Sequence, residues 1–111
     1  MTTPERFRAL ALALPQVEEK EHFGAPAFRV AGKIFAQLAR QGGDALVKIP
    51  PAQREVLRMS ASELFTPDPQ WGKHGWTHVR IGAMDEAWVE DVLRASWRQA
   101  APRRLHDELA P

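Results

Sequence analysis

The sequence holds no cysteine among its 111 residues. That excludes a disulfide framework, a thiolate metal site, a cysteine nucleophile and thiol redox chemistry. No apolar run is long enough to cross a bilayer. The opening Met1-Thr2-Thr3-Pro4-Glu5-Arg6 lacks the basic-then-apolar pattern of an export signal. The expectation is a cytoplasmic protein with no membrane partner. Serine occurs only at Ser60, Ser62 and Ser96, none in a G-x-S-x-G turn, so nucleophilic catalysis gets no support. Gly42-Gly43 is not followed by Lys-Ser/Thr, and Gly72, Gly75 and Gly82 open no helix, so a phosphate loop is absent. Charge of one sign is scarce too: the net charge is +1, which names no partner.

What is present fits one globular domain spanning residues 1–111. Apolar residues make up 44% and charged residues 26%, a balance that folds rather than stays disordered. The charge is unevenly spread. Residues 22–84 carry Arg29, Lys33, Arg40, Lys48, Arg54, Arg58, Lys73 and Arg80 against four acidic side chains. The flanking segments are slightly acidic, so a basic face in the middle competes with ordinary solvated surface.

Local patterns order the elements. Thr2-x-x-Glu5 reads as a capping box, with Pro4 in the first turn and Phe7, Leu10, Ala11 and Leu14 on one helical face. Pro15 stops that helix. Val17 to Phe23 alternates as a strand, and Gly24-Ala25-Pro26 breaks it. Phe28–Val30 and Lys33–Leu38 flank Ala31-Gly32 as a hairpin. Gln41-Gly42-Gly43-Asp44 signals another turn, and Ala45–Ile49 another strand. Pro51 opens a second helix through about Met59 with Val56 and Leu57 inward, and Ser62-Glu63-Leu64-Phe65 adds a turn. Thr66–Gly75 reads as a loop. Trp76–Ile81 alternates, Thr77, Val79 and Ile81 on one face and Trp76, His78 and Arg80 on the other. Asp85 caps a last helix whose stripe is Val89, Val92, Leu93, Ser96 and Ala100, with Trp88 and Trp97 at its edges. Pro102 begins a polar tail. This order predicts an α+β fold: an antiparallel sheet with helices on one face and the other face open.

Few residues offer chemistry. His74 and His78 have helical metal-site spacing, but in extended chain they stand roughly 13 Å apart, so no metal site is expected. Glu18, Glu19 and Glu21 with His22 read as the charged flank of an edge strand rather than an acid–base pair. The stretch Trp71-Gly72-Lys73-His74-Gly75-Trp76-Thr77-His78-Val79-Arg80 interleaves indoles with cationic groups. Indoles stack on bases and Lys or Arg neutralises phosphate, although a core role for Trp76 competes.

Larger pieces form a familiar series: His22-Phe23-Gly24-x-Pro26-x-Phe28-Arg29-Val30-x-Gly32-Lys33-Ile34-Phe35-Ala36, Leu46-x-Lys48-Ile49-Pro50-Pro51, Trp71-Gly72-x-x-Gly75-Trp76-Thr77-x-Val79-Arg80, and Trp97 through Ala101-Pro102-Arg103-Arg104-Leu105. Over nearly the whole chain this resembles the MmcQ/YjbR family. The resemblance implies a CyaY-like α+β fold, shared with bacterial frataxin, and a small bacterial protein commonly labelled DNA-binding. It supplies no catalytic residue and no cofactor. It brings no iron site either, since the first helix holds only Glu5 beside Arg6 and Arg8.

The leading expectation is a non-enzymatic DNA-binding or regulatory module with contacts directed to the backbone. Its contacts would be Arg29, Lys33, Lys48, Lys73, His74, Trp76, Arg80, Arg103 and Arg104. The alternative is a small-molecule or protein-binding domain with a pocket lined by His22, Phe35, Trp71 and Trp76.

Overall fold

Six strands pair antiparallel in the order β1-β2-β3-β4-β6-β5. They are β1 (Val17–His22), β2 (Ala25–Val30), β3 (Lys33–Leu38), β4 (Ala45–Lys48), β5 (Phe65–Pro67) and β6 (Trp76–Val79). Three α-helices join them: α1 (Pro4–Leu12), α2 (Pro51–Ser60) and α3 (Glu86–Ala100). The computed structural model describes residues 1–39 and 44–109. Arg40 and the expected turn at Gln41-Gly42-Gly43-Asp44, apart from Asp44, lie outside the described residues. Among the described residues, no helix is long and apolar enough to cross a membrane.

Helices α1 and α3 touch each other and cover one face of the sheet. The expected stripes meet there: Phe7 and Ala11 from α1 with Leu14 just after it, and Val89, Val92, Leu93, Ser96 and Ala100 from α3, are all buried. They pack on Phe28, Val30, Ala36 and Val47 of the sheet. Phe7 meets Phe28 edge-on with ring centroids 6.0 Å apart. At the exposed end of the same helix pair, the Arg6 guanidinium forks onto the Glu86 carboxylate at 2.9 and 3.0 Å.

A β-bulge decides what reaches this core. Phe28 pairs with Ala36, but the next residue, Arg29, pairs with Ile34. Phe35 is therefore the extra residue, and it shares the helix-covered side with Ala36. Both are fully buried. The carbonyl of Phe35 accepts a hydrogen bond from the Ser96 hydroxyl of α3 at 2.8 Å. Simple alternation along β3 would have turned Phe35 to the open face, and its expected place in a pocket wall is corrected accordingly.

Other expectations shift in instructive ways. Thr3, not Thr2, caps α1, accepting the Arg6 N–H at 3.1 Å. Thr2 is buried and donates to the Met84 carbonyl at 2.9 Å. Trp97 lies inside the core rather than at its edge, because its indole N–H finds the Pro15 carbonyl at 2.9 Å. Val56 is 62% exposed, since α2 leans on β5 and packs on the core only through Leu57. Pro26 lies inside β2 rather than in a break, because Phe23 and Gly24 make the whole turn with φ of 52° and 82°. The expected turn through Phe65 and loop from Thr66 give way to β5 on the edge beside β6, where Pro67 lacks an N–H to miss. The tail is not wholly polar: Leu105 and Leu109 of its 3-10 turn are buried.

Phe28→Ala and Phe35→Ala should each cost about 3–5 kcal/mol. Ser96→Ala strands a buried carbonyl and should cost about 1–3 kcal/mol. Urea denaturation measures all three. An unchanged midpoint in Ser96→Ala would show that the bulge holds without α3.

Candidate binding cleft

The face without helices is hollow rather than flat. A cavity of about 410 Å³ opens on it, walled by Trp71, Trp76 and His78 on one side and by His22 and Phe23 on the other. Small and aliphatic residues of the central strands, among them Ala25, Ile34 and Leu46, make its floor. The register explains the composition. Val47 and Thr77 pair on the covered face, so their neighbours Lys48 and Trp76 pair on the open one. Gln37, Leu46 and His78 then form a single row across β3, β4 and β6.

The Trp71 wall is built by Asp68. The Asp68 carboxylate accepts the backbone N–H of Trp71 at 2.8 Å and of Gln70 at 3.0 Å, both at Oδ2. Its Oδ1 lies 2.8 Å from His78 Nε2. The Trp71 N–H above all, then His78 and Gln70, hold the Asp68 carboxyl below its ordinary value, against the opposing cost of desolvation. An ionised Asp68 accepts an N–H from Nε2, which leaves Nδ1 as the second ring nitrogen toward solvent and cleft. After Trp71 a 3-10 turn, Gly72–His74, leads through Gly75 into β6. Gly75 has φ +97°, and a Cβ there would lie 2.7 Å from the Ile49 carbonyl. That carbonyl's own residue donates its N–H to Gly75 O at 2.9 Å, so only glycine lets the turn sit this close to β4. The Arg54 side chain also bonds the Gly72 carbonyl, tying α2 to the turn.

Of the residues expected in a pocket, His22, Trp71 and Trp76 come together and Phe35 does not. The residues expected on nucleic acid scatter. Lys33 and Lys48 lie at the sheet end where Trp76 begins β6, and Lys73 and His74 lie in the turn before it. Arg80 follows β6 at the opposite end. Arg29 and Arg104 line a separate polar cavity with Glu18 and Glu108, and Arg103 is exposed beside it. The ring of His74 lies 6.2 Å from that of Trp71, while His78 is taken by Asp68, so the two histidines have different partners. Asp68 and Gln37 escaped the sequence reading. Asp68 sat in an apparent loop, and only the pairing of β5 with β6 brings it to His78. Trp76 and His78 on one face were legible from their alternation.

The family model for YjbR matches residues 12–99. The chain belongs to the YjbR family. Every residue that walls the cleft falls inside the matched stretch, whereas Arg103 and Arg104 fall beyond it. Among solved structures, a crystal structure of the Deinococcus radiodurans protein DR2400, with a DUF419 domain, is similar. It superposes with a TM-score of 0.77 at 20% identity, covering 99% of this chain and 83% of that one. At that identity the likeness establishes the YjbR chain's fold. No curated protein matches the sequence significantly.

Asp68 ties this YjbR cleft to pH. A carboxyl whose folded value is depressed adds stability that is complete above its ordinary value of 3.8 and disappears as pH falls through the lower folded value. Asp68→Ala should lower stability by about 1.5–3 kcal/mol at neutral pH, since its hydrogen bonds are charged. The gap from wild type should narrow below pH 4. Urea titrations at pH 7 and pH 3 measure both, and a gap independent of pH would deny the carboxylate its role.

Proposed function

We propose that this protein is a non-enzymatic binding module whose ligand is a small molecule with a flat apolar face, held in the cleft on the open sheet face. One observation carries the reading: two indoles and an oriented imidazole wall a hollow floored by alanine and aliphatic side chains. Its volume, about 410 Å³, lies within the range of small-molecule sites. Such sites combine an apolar surface with few, well-held polar groups.

The aromatic dye 1-anilinonaphthalene-8-sulfonate provides the test. It should bind at one saturable site and shift the indole N–H signals of Trp71 and Trp76. Ala25→Leu, which fills the floor, should abolish binding while circular dichroism and the unfolding midpoint stay near wild type. Trp71→Ala removes a side chain 49% exposed. It should cost about 1–3 kcal/mol and leave the chain folded, while weakening the dye roughly fivefold or more. Dye binding indifferent to both substitutions would place the ligand elsewhere.

A second reading is contact with a DNA backbone, and the placing of Lys48 and Lys73 beside Trp76, with Lys33 at the same sheet end, supports it. Three phosphate contacts would give a slope of log affinity on log salt of roughly −3. Lys73→Ala should reduce that slope by about 0.9. A titration of random-sequence duplex between low and physiological salt measures it, and binding that ignores salt defeats this reading.

A further inference from the structure

We infer, on the cleft reading above, that the ligand is an amino-substituted planar heteroaromatic ring, the chemistry of adenine, cytosine or guanine. The row Gln37–Leu46–His78 carries the inference. These residues are direct cross-strand neighbours on the open face. Neighbouring strands lie about 4.8 Å apart, so Gln37 and His78 stand roughly 10 Å apart with Leu46 between them. A flat ring lying on Leu46 has one polar side chain at each edge. Trp71 and Trp76 stand at the same wall and offer π faces, on which every heteroaromatic ring stacks.

Both edge groups offer an acceptor, and the Gln37 amide carries N–H donors beside its own. With its Nε2–H directed at Asp68, the neutral tautomer of His78 carries its lone pair at Nδ1, and that nitrogen bonds no described residue. Gln37 keeps a buried side-chain oxygen with no hydrogen-bond partner. A buried acceptor without a donor is unfavourable, and the terminal amide torsion is soft enough to bring that oxygen to an arriving N–H. A ring edge with an exocyclic amine beside a ring nitrogen meets both: the amine donates to either acceptor, and the ring nitrogen takes an amide N–H of Gln37.

Such a ring arrives either as a free nucleoside or as an unpaired base on a single strand. The full chain is titrated with adenosine and with purine riboside, which lacks only the amine, and followed by indole fluorescence and amide chemical shifts at Leu46, Trp76 and His78. Adenosine should bind roughly five- to tenfold more tightly, the value of one or two satisfied hydrogen bonds. His78→Phe and Gln37→Met should each shrink that preference, and two substitutions on different strands guard against one that fails to fold. A short oligoadenylate binding more tightly than adenosine, with the gain lost when abasic sites replace its bases, identifies the strand as the source. Equal affinity of the two identifies the free nucleoside. Equal binding of adenosine and purine riboside, or a preference that survives both substitutions, overturns the inference. If the naphthalene dye occupies the cleft and adenosine does not, the inference falls and the cleft reading stands. If neither binds, both fall.

Discussion

The hydrogen bond from the Ser96 hydroxyl to the Phe35 carbonyl is the tie between α3 and the bulge of β3. A bulge frees the backbone groups of its extra residue from the ladder, and a buried carbonyl left free is costly. Here α3 supplies the donor from within its own apolar stripe. The exchange explains a serine in the middle of a buried helix face. It also explains two consecutive inward residues, Phe35 and Ala36, on β3. The core gains a phenylalanine that regular pleating would have turned away from it.

The same bulge shapes the opposite surface. A bulge bends its strand and increases local twist, and β3 is central in the sheet. With Phe35 turned inward, Ile34 and Gln37 are what β3 contributes to the open face. Beside them stand Ala25 and Leu46, side chains too small or too short to fill the space under Trp71 and Trp76. A sheet face without helices usually carries alternating polar residues. This one carries an apolar floor with aromatic walls.

Much of this was legible because it rests on local periodicity. The stripe of α3, the hairpin at Ala31-Gly32, the Asp85 cap and the alternation through Trp76 and His78 each depend on neighbours within a few residues. What was not legible depends on distant pairing. Nothing near Phe35 signals the register shift, which is set by how Phe28 meets Ala36 and Arg29 meets Ile34. Trp97 looked peripheral because its partner, the Pro15 carbonyl, comes from the other end of the chain. Asp68 looked like loop punctuation, and that is half true: it does form the Asx turn that the sequence would allow, accepting from Gln70 and Trp71. Its second oxygen meets His78 only once β5 has docked on β6. The family resemblance read from the motifs holds over residues 12–99, but motif order alone does not say which residues share a hollow.

The two ends of the cleft are built by different means. At one end the Phe23-Gly24 turn places a phenylalanine at φ 52°, a left-handed conformation that costs a residue with a side chain about 1–2 kcal/mol. His22 packs edge-on against its ring at 4.5 Å. At the other end no comparable strain falls on a tryptophan. The positive φ is assigned to Gly75, where it costs little, and the Asp68 carboxylate fixes Trp71 through its backbone. Immobilising a flexible side chain on binding costs about 0.5–1.5 kcal/mol each, and a wall fixed beforehand avoids much of that loss. A loose loop would have served a purely solvated surface equally well. On the proposed ligand-binding reading, the strain accepted at Phe23 and the charged anchor beneath Trp71 fit together as walls that stand apart before anything enters between them.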